Sequence, residues 1–206
     1  MKKFKSKSPA LIASIVTAAF VFLSACHHNP LNSNLSKSWQ PLSHSLYNKV
    51  LQKNTRAHKE YSGLHMTFQS HLVFLNSEIQ VNQTKIKSQY KNWSENEAQK
   101  EMSQLNASLK QSSHFFLSFY SPNKKRNKLD QRASDWRIIL KTKSSEFEGE
   151  ISFEDKISNH TKVFYPHIEL WGKPYKVSFP ISTVELETSP FSVILMGPEG
   201  MATFKY

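Results

Sequence analysis

Three groups of residues in this chain are of types that do chemistry: nine histidines, a run of glutamates and a run of lysines and arginines. His65 and His71 fall on one face of an alternating segment, and imidazoles that converge with a carboxylate or thiolate make a zinc or copper site. Six residues of extended chain place them about 20 Å apart at roughly 3.3 Å per residue, too far to share an ion. His27-His28 has no Asp, Glu or Cys partner at ligand spacing, so the sequence assigns no metal and no cofactor. Glu146, Glu148, Glu150 and Glu154 alternate with Phe147, Ile151 and Phe153. Glycoside hydrolysis needs two carboxyls facing across a cleft, whereas carboxyls along one strand make the polar outer face of a sheet. No catalytic set emerges.

The densest basic run is Lys124, Lys125, Arg126 and Lys128 with Arg132, in a segment expected to be a loop between strands. It fits contact with anionic lipid or polysaccharide, and equally a solvated loop that keeps a sheet edge soluble. Phe164-Tyr165-Pro166-His167 and Trp171-Gly172 could stack rings on a ligand, although aromatic side chains at strand spacing more often fill a core. A pocket holding a His and a carboxylate within hydrogen-bond reach would bring a hydrolase forward.

The elements that must position these residues follow from composition and period. The chain has 206 residues, 38% hydrophobic, with 14 Phe, enough to fill one core. Its five glycines form no phosphate cradle and no nucleophile elbow. Leu42, Leu46 and Val50 recur at helical spacing, with Pro41 expected in the first turn. Leu64, Met66, Phe68, Leu72 and Phe74 alternate as a strand. Ile79, Ile86 and Tyr90 suggest a helix, and a second one near 95–110 follows from the Ser94-x-x-Glu97 capping box and the stripe Ala98, Met102, Leu105, Leu109. From Ser113 onward every apolar segment alternates: Phe115–Phe119, Trp136–Leu140, Phe147–Phe153, Val163–Tyr165, Tyr175–Phe179 and Val193–Leu195, with Gly197-Pro198-Glu199-Gly200 turning a terminal hairpin. The spacing predicts a mainly β fold, an antiparallel β-sandwich with an N-terminal helix and a helical insertion near 77–111. Its terminal strands loosely resemble an immunoglobulin-like architecture, without the Cys…Trp…Cys core.

The first residues give an address. Lys2, Lys3, Lys5 and Lys7 precede a charge-free apolar run from Pro9 to Leu23, the pattern of an export signal, at 1–25. That run is about fifteen residues, short of the ~20 a transmembrane helix needs. Leu23-Ser24-Ala25-Cys26 resembles the bacterial lipobox, and Cys26 is the only cysteine in the chain. The resemblance implies cleavage before Cys26, a diacylglycerol thioether on it and an acylated α-amino group, making the lipid bilayer a partner. It also implies the outer rather than the inner membrane, because His27 stands where an Asp retention signal would. Removing the four leader lysines leaves 23 basic against 16 acidic residues, a net of +7, which suits anionic surfaces. Nucleic acid is not expected of an exported chain. Residues 26–40 read as a flexible tether and 41–206 as one β-rich domain. The expected function is a non-catalytic binding or assembly module that holds an envelope protein or glycan. The alternatives are an envelope hydrolase of wall or surface polymers and a structural surface component or adhesin.

Overall fold

The computed structural model describes residues 39–130, 134–154, 163–166 and 172–206. The export signal, Cys26, nearly all of the tether, Arg132, His167 and Trp171 lie outside the described residues.

Helix α1 (His44–Lys53) starts at Ser43, whose side chain accepts from the Leu46 amide. Pro41 stands before that cap rather than in the first turn, because the Leu42 amide donates instead to Asn82 Oδ1 at 2.6 Å, tying the entering chain to another helix. Strands β1 (Thr55–Ser62) and β2 (His65–Phe74) form a hairpin, followed by α2 (Ser77–Tyr90), α3 (Glu95–Gln111) and β3 (Ser113–Tyr120). The Ser94–Glu97 capping box closes the start of α3 in both directions, as its spacing predicts. A 3₁₀ turn (Lys124–Arg126) leads to β4 (Arg137–Lys141), β5 (Glu146–Glu148) and β6 (Glu150–Phe153). After β7 (Lys173–Phe179) come the single-turn α4 (Thr183–Leu186) and the hairpin β8 (Ser192–Gly197) and β9 (Gly200–Lys205).

All pairings are antiparallel, in a five-stranded sheet ordered β1-β2-β3-β7-β6 and a four-stranded sheet ordered β5-β4-β8-β9. Among the described residues four helices accompany them, so the fold is mixed rather than mainly β. Between the sheets lies the main core, Phe68, Leu72, Phe115, Leu117, Phe119, Phe179 and Phe204 among its buried members. A second apolar cluster joins the outer face of the five-stranded sheet, at Val73 and Phe116, to Tyr47 and Leu51 of α1 and Ile79 of α2. The central strands β2 and β3 are therefore covered on both faces, which explains why Leu72-Val73-Phe74 and Phe115-Phe116-Leu117 run on without polar interruption. Val163–Tyr165 is not the expected strand: Phe164 and Tyr165 turn into this second cluster and are buried there. Strand β1 answers to none of the expected strands. It is an edge strand without a single buried residue, so no apolar period marks it.

Phe147–Phe153 is not one strand in one sheet. β5 pairs with β4, β6 pairs with β7, and Gly149 is the corner between them, its amide donating to Ile138 O at 2.9 Å. A side chain there would stand 2.5 Å from the Phe179 ring and 2.9 Å from Ile138 Cγ2, so the crossing needs glycine. On the opposite side of the body, β1 and β9 are linked by side chains. Arg56 Nε donates to Lys205 O at 2.7 Å and its guanidinium lies over the Tyr206 ring, while Tyr206 Oη donates to Leu72 O at 2.8 Å.

Candidate functional site

A cleft of about 610 Å³ opens between the helical pair and the outer face of the five-stranded sheet. Helix α2 and its C-cap turn one stripe toward it, Gln80, Thr84, Lys87 and then Lys91, at the three- and four-residue steps of a helical face. The sheet supplies His114 and Phe116 from β3 and Lys176 from β7; Phe116 and Lys176 are paired residues and so share a face. Leu105 of α3, Glu154 just after β6, and Phe164 and Tyr165 complete the walls.

The floor is aromatic and held rigidly. Phe116 and Tyr165 stack with centroids 3.9 Å apart at 12°. Gln83 Nε2 donates to Tyr47 Oη at 3.0 Å and to Tyr165 Oη at 3.2 Å, and Tyr47 Oη donates to Phe164 O at 3.2 Å. Burial pushes the Tyr47 hydroxyl up to about 12 and raises Tyr165 further, so both phenols stay neutral donors and acceptors at physiological pH.

The walls are cationic. Among the described residues, Lys87, Lys91 and Lys176 share the cleft with one carboxylate, Glu154. Burial, then the neighbouring charge of Lys91, holds Lys87 below the ordinary lysine value, with Glu154 partly opposing and Lys176 adding to the depression. Burial and then Lys176 lower His114 to about 4, leaving its ring neutral at pH 7. His114 Nε2 lies 3.2 Å from Ser112 Oγ, and its buried Nδ1 has no partner among the described residues. Cations gathered against a partly desolvated wall are strained by mutual repulsion, and an anion placed among them offsets that repulsion. The volume lies within the range of small-molecule sites, roughly 300–1,000 Å³.

Of the residues singled out from the sequence for chemistry or recognition, Glu154, Phe164 and Tyr165 line the cleft, and the other described ones lie elsewhere. Glu146 pairs with Lys141 at 2.6 Å and Glu148 takes both arms of Arg137 at 2.9 and 3.1 Å, on the four-stranded sheet. Only Glu154 of that run reaches the cleft, because the corner at Gly149 carries the chain into the other sheet. The cleft thus holds a His and a carboxylate, yet no hydrogen bond joins His114 to Glu154 among the described residues. Lys124, Lys125 and Lys128 are exposed, while Arg126 is half-buried, bonded to Asp135 and accepting at its carbonyl from Trp136 Nε1 at 3.1 Å. Among the described residues no three His, Cys, Asp or Glu side chains gather as metal ligands, and no helix is long and apolar enough to cross a membrane. The cleft lysines and His114 carry no mark as single residues in the sequence, where α2 shows through Ile79, Ile86 and Tyr90 as its apolar side. The complementary polar stripe ending in Lys87 and Lys91 was the available signal.

No protein-family model, no curated protein and no solved structure matches this chain.

Proposed function

We propose that this chain is a lipid-anchored lipoprotein of the bacterial envelope whose folded body is a non-catalytic binding module, taking a small carboxylate- or phosphate-bearing ligand in the cleft. The acidic unit of an envelope glycan fits this description. The anchor rests on Leu23-Ser24-Ala25-Cys26 in its export context, with the outer membrane favoured by His27. The ligand class rests on one observation, the convergence of Lys87, Lys91 and Lys176 on a half-enclosed cleft with an aromatic floor. Charge-assisted hydrogen bonds from three ammonium groups bind an anion, and the rings below accept the apolar face of a sugar.

The test uses the full chain purified from envelope in mild detergent, titrated with inorganic phosphate, glucuronate and acidic wall-glycan fragments while thermal unfolding is followed. A ligand at a hundred times its Kd stabilises by about 2.7 kcal/mol, readily seen as a rise in Tm. The rise should vanish in Lys87→Met and Lys176→Met. No rise with any probe, or an equal rise in both variants, defeats the cleft reading; specific recovery of an acidic protein instead, by crosslinking in cells, would replace glycan by protein as the partner. The anchor is tested separately. Cys26→Ser should abolish acyl labelling and leave uncut precursor, and normal processing of that variant would refute it.

A further inference from the structure

At the end of the body away from α4, three loops are stitched together. The tip of the β1–β2 hairpin, the turn between β8 and β9 and the loop after β3 meet at Glu199: Thr67 Oγ1 donates to Glu199 O at 3.1 Å and Ser121 Oγ to Glu199 Oε2 at 2.6 Å. The space a side chain on Gly200 would need is taken by Glu60 and Phe68, which packs the two hairpins directly against each other. The result is a fixed platform.

What this platform presents is unlike the rest of the surface. Leu64 is 98% exposed at the hairpin tip, Tyr61 55% and Met201 56%, three of the eight large apolar side chains left open among the described residues. Gly63, at φ 62°, occupies the first turn position, so the turn's tight geometry is supplied by glycine and makes no demand on the residue at Leu64. The loop after β3, tied to the β8–β9 turn through Ser121 and Glu199, carries the exposed Lys124, Lys125 and Lys128. The described part of that loop carries four cations against two acids, Asp130 and Asp135, of which Asp135 is engaged by Arg126. Exposed apolar and interfacial aromatic side chains at a tip, with lysines on a loop tied to the same end, are the two elements of peripheral attachment to an anionic bilayer: insertion by the former, attraction of phosphate head groups by the latter.

We propose that this end of the body is a membrane-contact face, in which Leu64, Tyr61 and Met201 enter the head-group region of an anionic bilayer while Lys124, Lys125 and Lys128 meet its phosphates. The proposal is independent of the cleft. It would turn a tethered domain into one lying on the lipid in a defined orientation.

The experiment places a thiol-reactive environment-sensitive fluorophore at Leu64→Cys in the full chain, with Val184→Cys as control. Val184 is 47% exposed on α4, at the opposite end, near Glu187 and Ser77. The unsubstituted chain supplies the background from Cys26, so the reading does not depend on acylation. Each protein is reconstituted into vesicles of phosphatidylethanolamine and phosphatidylglycerol in equal parts, or of phosphatidylcholine alone, containing a lipid-borne quencher. Expected are a blue-shifted, quenched probe at 64 and an unshifted one at 184, in the anionic vesicles only. Adding Lys124→Glu, Lys125→Glu and Lys128→Glu should lower the docked-to-free ratio at least about fivefold for each lysine lost. Equal quenching at 64 and 184, or quenching indifferent to lipid charge and to the lysines, overturns the proposal. So does a probe at 64 that is shielded in native envelope but not in protein-free vesicles, which would assign the face to a protein or glycan.

Discussion

Mild acid should loosen this fold through one histidine. His114 sits on the sheet wall of the cleft, and burial followed by Lys176 brings its pKa from 6.5 to about 4. The folded state therefore keeps the ring neutral at a pH where the unfolded chain protonates it, so the stability this neutral ring confers is complete above about pH 6.5 and is lost as the pH falls toward 4. A shift of that size would cost roughly 2 kcal/mol at pH 5, and partial solvent access to the ring reduces the expectation to about 1 kcal/mol. The assay is urea unfolding of the full chain at pH 7 and pH 5, beside His114→Gln, which cannot take up the proton. Carboxylates titrating in the same window are common to both proteins and cancel in the comparison. The wild type should lose about 1 kcal/mol more than the variant on acidification, and a bound anion, by favouring the imidazolium, should narrow that gap. Equal losses would refute the placement of His114 in a cationic, partly dry wall.

Gly149→Ala should destabilise by about 1–3 kcal/mol in chemical denaturation, since its methyl meets the Phe179 ring and Ile138 with no flexible tip to yield; a neutral outcome would mean that the sheets do not cross there. Gln83→Leu should cost about 1–3 kcal/mol and disturb the near-ultraviolet spectrum of the tyrosines it bonds, because Tyr47 and Tyr165 lose their shared donor inside a buried cluster. Ser94→Ala removes the hydroxyl half of the α3 capping box, leaving only the backbone amide of residue 94 on Glu97, and should lower stability by about 1 kcal/mol, with the loss read as reduced helical ellipticity on heating.

How much of this was legible follows from what each element buries. Helix α3 announces itself through a local device, the reciprocal Ser94–Glu97 cap, that owes nothing to the rest of the chain. Strands β3, β7 and β8 do so by apolar continuity or alternation, according to whether both faces or only one pack against apolar neighbours. β1 does not, since an exposed edge strand is held by its ladder to β2 and by Arg56, and backbone hydrogen bonds leave no mark on residue type. Phe164 and Tyr165 mislead in the opposite way: alternation with Val163 looks like a strand, but the rings are buried as plugs under α1 and α2. The cleft is harder still. Lys87 and Lys176 are far apart in sequence, ordinary as single residues, and become a site only when α2 lies across β3 and β7.

The two edges that join the sheets are unlike in kind. At Gly149 the polypeptide itself passes from one sheet to the other, so that side behaves as the spine of a book and cannot part without breaking strand pairing. Along β1 and β9 the covers are clasped by side chains alone, by Arg56 on the Lys205 carbonyl and the Tyr206 hydroxyl on Leu72 at one end and by Thr67 on Glu199 at the other. Thermal breathing must then begin at the clasp. Amides along the β9 edge should exchange with deuterium well before those of β4 beside the spine, and the core should first admit solvent past Tyr206.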